Sequence, residues 1–210
     1  ADGILVVVLK GPVGHVGSLP TCCASSRRQS CARGQRTSTV GGDGAIRGGL
    51  IATFVVRASI VGELPRMVLG VAKHHHTWSL IEGSRRFALH LIHPHRLDLI
   101  WRFGLQSGRD GDKLAGLEPG RTPGGSPLIA DSPGWLDCRV ETGMDTGDRT
   151  VYLAAVEAAD ARAGSTPLTV RRLFSEAPDE RRRQLHALYA RDGHIDAEAI
   201  RRWRAERAST

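Results

Sequence analysis

The sequence has few aromatic residues and no long apolar run. Phe, Trp and Tyr make up 5% of the 210 residues. The apolar stretch "ILVVVL" at positions 4–9 is far shorter than the roughly 20 residues that span a bilayer. Its β-branched residues indicate a buried strand rather than the core of a signal peptide, since no basic segment precedes it. We therefore expect no contact with a membrane.

Cysteine is also scarce, and its positions are informative. The four residues are Cys22, Cys23, Cys31 and Cys138. Two of them are adjacent, and the set fits neither a zinc framework nor the disulfide scaffold of a secreted protein. We expect free thiols in a reducing compartment, which indicates a cytoplasmic protein.

The net charge of +7 raises the question of a nucleic-acid partner. The surplus is concentrated in residues 1–48, which hold six Lys/Arg against two Asp/Glu. Residues 167–210 hold ten against seven, mixed along helical faces. Neither region combines basic and aromatic residues in a nucleic-acid-binding motif, so we expect no nucleic-acid binding.

The chain divides into three parts by composition. Residues 1–37 form an irregular segment, because beyond the first strand they are Gly, Ser, Arg and Cys without a period. Residues 38–165 hold short β-branched runs such as "LIATFVVRASIV", "RMVLGVA" and "RFALHLI", spaced by Gly, Pro and charged breaks. "HRLDLIWRFGLQSG" predicts a helix that stops near Gly108, and "GWLDCRVETGMDTGDRTVYLAAVEAA" predicts a hairpin with its turn near 145–148.

Residues 166–210 predict a C-terminal helical extension. The segment "SEAPDERRRQLHALYARDG" predicts one helix capped by Ser175, and "DAEAIRRWRAERA" a second one capped by Asp196. Helices this short need a partner surface to be stable in water. We expect them to pack on the β-rich domain or on a second subunit.

Three consecutive histidines stand in "VLGVAKHHHTWSLIEG", residues 68–83. Histidine ligands lie two apart on a strand or three to four apart on a helix, and no Cys, Asp or Glu stands at ligand spacing here. His90, His93 and His95 are near enough in sequence to converge with them, but we expect no metal and no purification tag, since tags are longer and terminal. A strand followed by a helix capped by Thr77, with Lys73 beside it, suits a phosphate. A solvated loop is the alternative, and spacing alone does not decide between the two.

A second stretch, "GGLIATFVVRASI", carries Thr53 and Ser59 where an ordinary strand holds valine. An edge strand with exposed hydroxyls would explain them. Together with "PRMVLGVAKHHHTWSLIEGSRRFALHLI", "WRFGLQSGRDGDKLAGL" and "WLDCRVETGMDTGDRTVYLAAVEAA", however, this stretch resembles the flavin reductase-like family of FMN-binding split β-barrels. The four pieces fit the family in order and spacing from about residue 38 to 160.

The resemblance implies a mainly β fold, an FMN-binding split β-barrel of Greek-key type with one or two inserted helices. It implies that the flavin ring and ribityl chain lie along 52–59, that the phosphate is bound at 72–77, and that the loop "SGRDGDK" approaches from the side. The implied cofactor-binding residues are Thr53, Phe54, Val55, Val56, Ala58, Ser59, Ala72, Lys73, His74, His75, His76, Thr77, Ser107, Gly108, Asp112 and Lys113. It also implies a homodimer with FMN near the interface.

The chain departs from the family pattern in three places. Val56 and Arg57 replace residues that are often polar, "GELP" stands where a Pro-Pro step is usual, and residues 1–37 match nothing expected before the barrel. The missing match leaves the N-terminal edge of the barrel undefined.

The function that the resemblance implies is reduction of flavin by NADH or NADPH. Hydride passes to the flavin N5, and electrons go on to free flavin, a partner oxygenase or another acceptor, without a catalytic acid or base. His76, Lys113 and Arg57 are candidates to stabilise the reduced flavin. The sequence contains no GxGxxG unit, so we expect no separate nicotinamide-binding domain.

Two alternatives remain. One is a flavoredoxin-like electron carrier that holds FMN but has no nicotinamide site, and the other is a barrel that has lost its flavin. In either flavin-binding case, the C-terminal helices can close over the flavin of the same or the neighbouring subunit. Tyr189 or Trp203 would then shield the ring.

Overall fold

The structure, a computed structural model, describes residues 6–10, 47–117, 120–129 and 131–209. Its strands are β1 (Val6–Lys10), β2 (Gly48–Ala52), β3 (Val55–Arg57), β4 (Arg66–Ala72), β5 (Arg86–Leu91), β6 (Gly120–Arg121), β7 (Pro127–Leu128), β8 (Gly134–Asp145) and β9 (Arg149–Ala161). Its helices are α1 (His76–Ser84), α2 (Leu97–Leu105), α3 (Val170–Glu176) and α4 (Asp179–Ala208).

Seven strands form one antiparallel sheet in the order β2-β1-β5-β8-β9-β4-β3. Strands about 4.8 Å apart would place β2 and β3 roughly 29 Å from each other in a flat sheet. Yet only Thr53 and Phe54 join these two strands, and so short a link spans at most about 11 Å. The sheet must therefore curl until its two ends meet, and the backbone N–H of Gly70 on β4 donates to Phe54 O at 3.0 Å. The mainly β architecture is confirmed.

The long hairpin at the centre of the sheet follows the sequence prediction. β8 and β9 pair from Gly134↔Ala161 to Asp145↔Thr150, so the turn lies at 146–148, where it was predicted. The register shifts between Asp137 and Cys138 and again between Val140 and Thr142. Such bulges increase local twist and bend the strand, which helps the sheet to curl.

Two apolar cores stabilise the fold. The first lies inside the curl and includes Leu69, Phe87 and Tyr152, each 0% exposed. The second lies where α2 and α3 pack together, with Ile100, Leu168 and Leu173 at 0–3% exposure. Because α3 contributes Leu173 to the second core, the polypeptide remains part of the packed fold up to this helix.

The apolar stretch predicted as a strand at 4–9 corresponds to β1, which pairs with β2 on one side and β5 on the other. It therefore lies within the sheet. The remainder of the irregular segment, residues 11–37, and the run "STVGG" lie outside the described residues.

The start of α1 differs from the prediction. The N-cap is His75, without a side-chain cap, and α1 begins at His76. Thr77, predicted to cap the helix, is its second residue and is 3% exposed. It lies next to β2, where a Cβ on Gly48 would be 3.7 Å from Thr77 Oγ1. The hydroxyl is thus part of the packing between α1 and β2 and not a cap.

The C-terminal extension also differs from its prediction. The predicted pair of helices capped by Ser175 and Asp196 is wrong: Ser175 lies inside α3, and Asp196 lies inside α4, a single helix of 30 residues. Between Val170 and Ala208, the helical structure is interrupted at Ala177 and Pro178, which follow α3. Gly193, where a break was expected, costs only about 1 kcal/mol in a helix interior. None of the helices in the described ranges is both long and apolar enough to cross a membrane.

Candidate functional site

A cavity of about 530 Å³ opens where the two ends of the curled sheet meet. Sites for small molecules and cofactors usually measure about 300–1,000 Å³. One wall is made by β2, the end of β4 and the turn into α1, and a second by the end of α2 and the loop after it. Helix α4 forms the third side. Residues from all of these elements line it, including Ala52, Thr53, Phe54, Ala72, His75, Gln106, Lys113, Leu188 and Asp192.

The sheet side of the cavity is apolar and closely packed. Leu69 and Val71 on β4 are 0% and 2% exposed. Between them, Gly70 leaves room for the ring of Phe54: a Cβ at position 70 would lie 2.1 Å from Phe54 Cδ1. The ring of Phe54 can therefore lie against the backbone of β4, and a side chain at position 70 would push it away.

The three histidines have different surroundings. His74 faces two carboxylates of α4, with Nε2 3.6 Å from Asp192 Oδ2 and Nδ1 3.4 Å from Asp196 Oδ1. His75 is half-buried, and burial together with the neighbouring His74 lowers its pKa to about 4. It is therefore neutral at neutral pH.

His76 lies on the cationic side of the cavity. Its ring packs on the backbone of the next loop, where a Cβ on Gly108 would lie 2.9 Å from His76 Cδ2. Burial lowers the pKa of His76, and the positive charges of Arg109 and Lys113 lower it further. The same positive potential that disfavours a charged imidazole favours a bound anion.

The loop after α2 supplies two cations. Arg109 Nη1 donates to His74 O at 2.9 Å, which ties the loop to the histidine turn. Lys113 is 7% exposed, and its Nζ donates to Gly49 O and Phe103 O at 3.0 Å each. Burial lowers the pKa of Lys113 to about 8. Two of its three N–H groups are held by these carbonyls, which leaves one for a ligand in the cavity.

Together these groups make an anion site at the start of α1. The first backbone N–H groups of a helix have no partner within the helix, and the helix dipole is positive at this end. His76 adds a hydrogen-bonding group, and Arg109 and Lys113 add donors and positive charge. The carboxylates of Asp192 and Asp196 lie on the opposite side of the turn, next to His74.

Helix α4 crosses the cavity and is fastened mainly by polar contacts. Arg149 Nη2 donates to Asp196 Oδ2 at 2.7 Å, and Arg182 Nη1 to Phe174 O at 3.0 Å. At the other end Trp203 packs on the β8–β9 turn, where a Cβ on Gly147 would lie 2.7 Å from Trp203 Cβ. Leu185 is the buried residue of the helix, at 9% exposure. Of the two predicted shields, Tyr189 lines the cavity, whereas Trp203 contacts Gly147 instead.

Comparison with known proteins identifies the family. The model of the flavin reductase like domain matches residues 33–175. The chain belongs to the flavin reductase-like family. The reductase subunit HsaB of a flavin-dependent monooxygenase of Mycobacterium tuberculosis is 33% identical over 100 residues, which cover 48% of this chain and 52% of that protein. The flavin reductase of Pseudomonas putida is 28% identical over 80 residues, covering 38% of this chain and 45% of that protein. The match thus spans about half the length of these relatives.

Solved structures share the fold of the family. The NADH:FAD oxidoreductase of Streptomyces globisporus, in complex with NAD and FAD fragments, superposes with a TM-score of 0.59 at 16% identity, covering 80% of this chain and 81% of that one. Nitrilotriacetate monooxygenase component B of Mycobacterium thermoresistibile gives 0.57 at 20% identity over 80% and 74%. The flavoredoxin of Methanosarcina acetivorans gives 0.56 at 17% identity over 76% and 69%.

The fold brings most of the residues implied by the family resemblance to one cavity. They come from three separate segments of sequence, around 53, 72–77 and 107–113. Those that line the cavity are Thr53, Phe54, Ala72, His74, His75, His76, Thr77, Ser107, Gly108 and Lys113.

The other implied residues lie elsewhere. Val55 and Val56 are on the edge strand β3, and Ala58 and Ser59 follow it, where Ser59 Oγ accepts from Val61 N at 3.0 Å. Lys73 forms an ion pair with Asp145 at 2.7 Å and lines a shallower pocket beside α1. Asp112 accepts from Arg47 Nε at 2.9 Å, and this contact lowers the pKa of the Asp112 carboxyl.

Sequence reasoning missed several cavity residues, chiefly Arg109, Arg149, Asp192 and Asp196. Arg109 stands inside the loop "SGRDGDK", so its charge was a usable signal. Asp192 and Asp196 are four apart on a helix, which places both on one face. No local pattern indicates that this face meets the histidines, which stand more than 100 residues earlier in the chain.

Proposed function

We propose that this protein is an NAD(P)H-dependent flavin reductase that binds FMN in the cavity. One observation carries the proposal: three segments that are distant in sequence and were singled out by family resemblance line a single cavity of cofactor size. We take the curled sheet as the FMN-binding split β-barrel of the family, with residues 38–165 as its domain and 166–210 as an extension.

The residues of the cavity fit a flavin mononucleotide. We assign the phosphate to the start of α1, with His76 and Arg109 as neighbours, because positive charge and the positive end of a helix dipole coincide there. The end of β2 at Ala52 and the ring of Phe54, in the link that follows this strand, suit the flat aromatic ring. A bound FMN would supply the redox chemistry, taking hydride from a reduced nicotinamide and giving electrons to an acceptor, while the residues named here would hold it.

The side chains of the cavity would hold the flavin in position and stabilise its reduced form. None of them is needed as a proton donor or acceptor. The remaining N–H of Lys113 donates toward the ligand, and its positive charge favours a form of the ligand that carries extra negative charge. The apolar side chains of β2 and β4 exclude water from the ring. Leu188 and Tyr189 of α4 close the opposite side.

A second candidate function, electron transfer without a nicotinamide site, follows from the position of α4. Leu188 and Tyr189 line the cavity, so α4 would have to move aside for a nicotinamide ring to stack on the part of a bound flavin that they cover. A carrier that keeps FMN and exchanges electrons with a protein partner would need no such movement.

We further propose a cytoplasmic homodimer that supplies reduced flavin to an oxygenase or to the free flavin pool. HsaB is named as a reductase subunit of a flavin-dependent monooxygenase, which supports an oxygenase as acceptor. The dimer proposal is supported by apolar side chains on and after edge strand β3: Val56, Ile60 and Leu64 are 53%, 91% and 70% exposed. An exposed apolar edge of this kind is typical of an interaction surface.

Anaerobic mixing of the FMN-loaded protein with NADH or NADPH separates the candidates. We expect rapid bleaching of the visible band of the oxidised flavin by one nucleotide or both. A flavin-loaded protein that neither nucleotide reduces, but dithionite does, would favour the carrier. A protein that shows no flavin band and no thermal shift with FMN would contradict both.

A further inference from the structure

A cluster of histidines and carboxylates lies beside the anion site and is not used by the proposed reductase function. His74 and His75 come from the turn between β4 and α1, and Asp192 comes from α4. One ligand atom from each of the three lies within 4.8 Å of the other two. Asp196, one turn further along α4, faces the second nitrogen of His74.

The distances in the cluster are too long for direct hydrogen bonds between charged groups, which measure about 2.7–2.9 Å. His74 Nε2 lies 3.6 Å from Asp192 Oδ2. Both His74 Nε2 and Asp196 Oδ1 are buried without a hydrogen-bond partner. A four-coordinate zinc ion with bonds of about 2.1 Å holds neighbouring ligand atoms about 3.4 Å apart. The spacing between His74 Nε2 and Asp192 Oδ2 is therefore close to that of two ligands on one ion.

The surroundings of the cluster also suit a metal. A histidine on a metal usually donates its other ring N–H to a carboxylate, which fixes the ring and its tautomer. His74 Nδ1 lies 3.4 Å from Asp196 Oδ1, and Asp196 is itself held by Arg149 Nη2 at 2.7 Å. With Nε2 on the ion, Nδ1 and Asp196 form such an outer pair.

We propose that His74, His75 and Asp192 bind a divalent transition-metal ion such as Zn²⁺, with Asp196 as the outer carboxylate, and that this ion fastens α4 across the cavity. Two imidazoles and one carboxylate are the ligand types that zinc and its first-row neighbours prefer. Two ligands belong to the turn before α1 and one to α4, so the ion joins the wall of the cavity to its cover. Its charge also offsets the carboxylates that lie close to the anion site.

The test uses the 210-residue chain, untagged and flavin-free, from which metals have been removed by a chelator. Titration calorimetry with ZnCl₂ should give one ion per chain, and Co²⁺ should give the visible absorption of a nitrogen- and oxygen-ligated ion. His74→Gln and Asp192→Asn should abolish the binding. Asp196→Asn should weaken it by about 10–100-fold, which is typical for loss of an outer partner of a ligand.

The control variant is His95→Gln. His93 and His95 form the other close histidine pair of the described chain, with ring centroids 4.8 Å apart, but neither belongs to a candidate metal group. This variant should bind Zn²⁺ as the wild type does. The proposal is overturned if the wild type binds no ion, or if His74→Gln and Asp192→Asn keep the wild-type affinity while circular dichroism shows them folded.

Hydrogen exchange tests the role of the ion as a fastener. Adding Zn²⁺ should slow amide exchange in residues 185–200 of the wild type and leave Asp192→Asn unchanged. Binding without this protection would overturn the fastening role. Because all of these measurements are made without flavin, they stand apart from the anaerobic reduction experiment, and either proposal can fail alone.

Discussion

The sheet side of the cavity and its helical cover are built in opposite ways. On the sheet side, strands β4 and β5 hydrogen-bond to neighbours on both sides, and Leu69, Val71 and Phe87 are at most 2% exposed. The cover, α4, is 30 residues long with Leu185 as its buried residue. It is held by ion pairs and by the contact of Trp203 with Gly147.

This difference indicates that the sheet is rigid and that α4 can detach from it locally. Segments with few buried apolar contacts open locally at low free energy, whereas buried strands open only with global unfolding. The side that would position a cofactor is thus the stable one. The side that would admit or exclude a reaction partner is the one that can detach without unfolding the sheet.

The largest expected contrast is between core truncations on the two sides. Phe87→Ala, in the first core, should lower the free energy of unfolding by about 3–5 kcal/mol. Leu185→Ala, on α4, should lower it by about 2 kcal/mol, the low end of the range for a buried leucine, because α4 can shift to close the space that the side chain leaves. Urea unfolding followed by circular dichroism measures both. Equal losses would mean that α4 is as integral to the fold as β5.

The second prediction concerns the pH dependence of the scaffold. His90 on β5 is 0% exposed, and burial lowers its pKa to about 4 although Pro127 O is 3.1 Å from Nε2. The imidazole of His90 therefore binds a proton more tightly in the unfolded chain than in the folded one. The contribution of His90 to the free energy of unfolding is fully present above pH 6.5 and is lost as the pH falls from 6.5 toward 4. From pH 7 to pH 5 the loss attributable to His90 should be about 2 kcal/mol.

Urea titrations of the wild type and His90→Gln at both pH values isolate this contribution. His75 titrates in the same direction in both proteins, so it cancels in the comparison. If the two proteins lose stability equally between pH 7 and pH 5, His90 is not the buried neutral group that the structure indicates.

The smallest effect is expected where α4 meets the β8–β9 turn. Gly147 has φ +93°, and a Cβ there would collide with Trp203. Gly164 has φ +73° and no atom within 4 Å of its Cβ position. Alanine at either position should lower the free energy of unfolding by about 1–2 kcal/mol through backbone strain. Only Gly147→Ala should also speed amide hydrogen exchange in residues 196–206. Equal exchange in the two variants would show that Trp203 does not seat α4.

Much of the sheet could be predicted because its signals are local. β-branched runs marked β1, β4 and β5, and alternation with a Gly-containing turn marked the β8–β9 hairpin. The first residues of the helices were harder to predict from the sequence. Thr77 has the chemistry of a cap, but its burial against Gly48 is a tertiary contact that a local pattern does not contain.

The candidate site was only partly predictable for the same reason. Family resemblance placed Thr53, His76 and Lys113 in it, and all three line the cavity. Lys73 was chosen for its charge, yet its ion pair with Asp145 depends on the pairing of β4 with β9. The contact of His74 with Asp192 and Asp196 depends on the path of α4, which no short segment encodes.

The most direct test of the account compares FMN with riboflavin, which lacks the phosphate. Fluorescence titrations of the wild type and Arg109→Gln, with exposed Arg121→Gln as control, measure whether the phosphate is bound at the start of α1. We expect Arg109→Gln to weaken FMN binding about tenfold or more, since a hydrogen bond to a charged group contributes about 1.5–3 kcal/mol. Riboflavin binding should not change. If Arg109→Gln leaves the FMN affinity unchanged or weakens both flavins equally, or if the wild type binds neither, the flavin site does not lie where we place it.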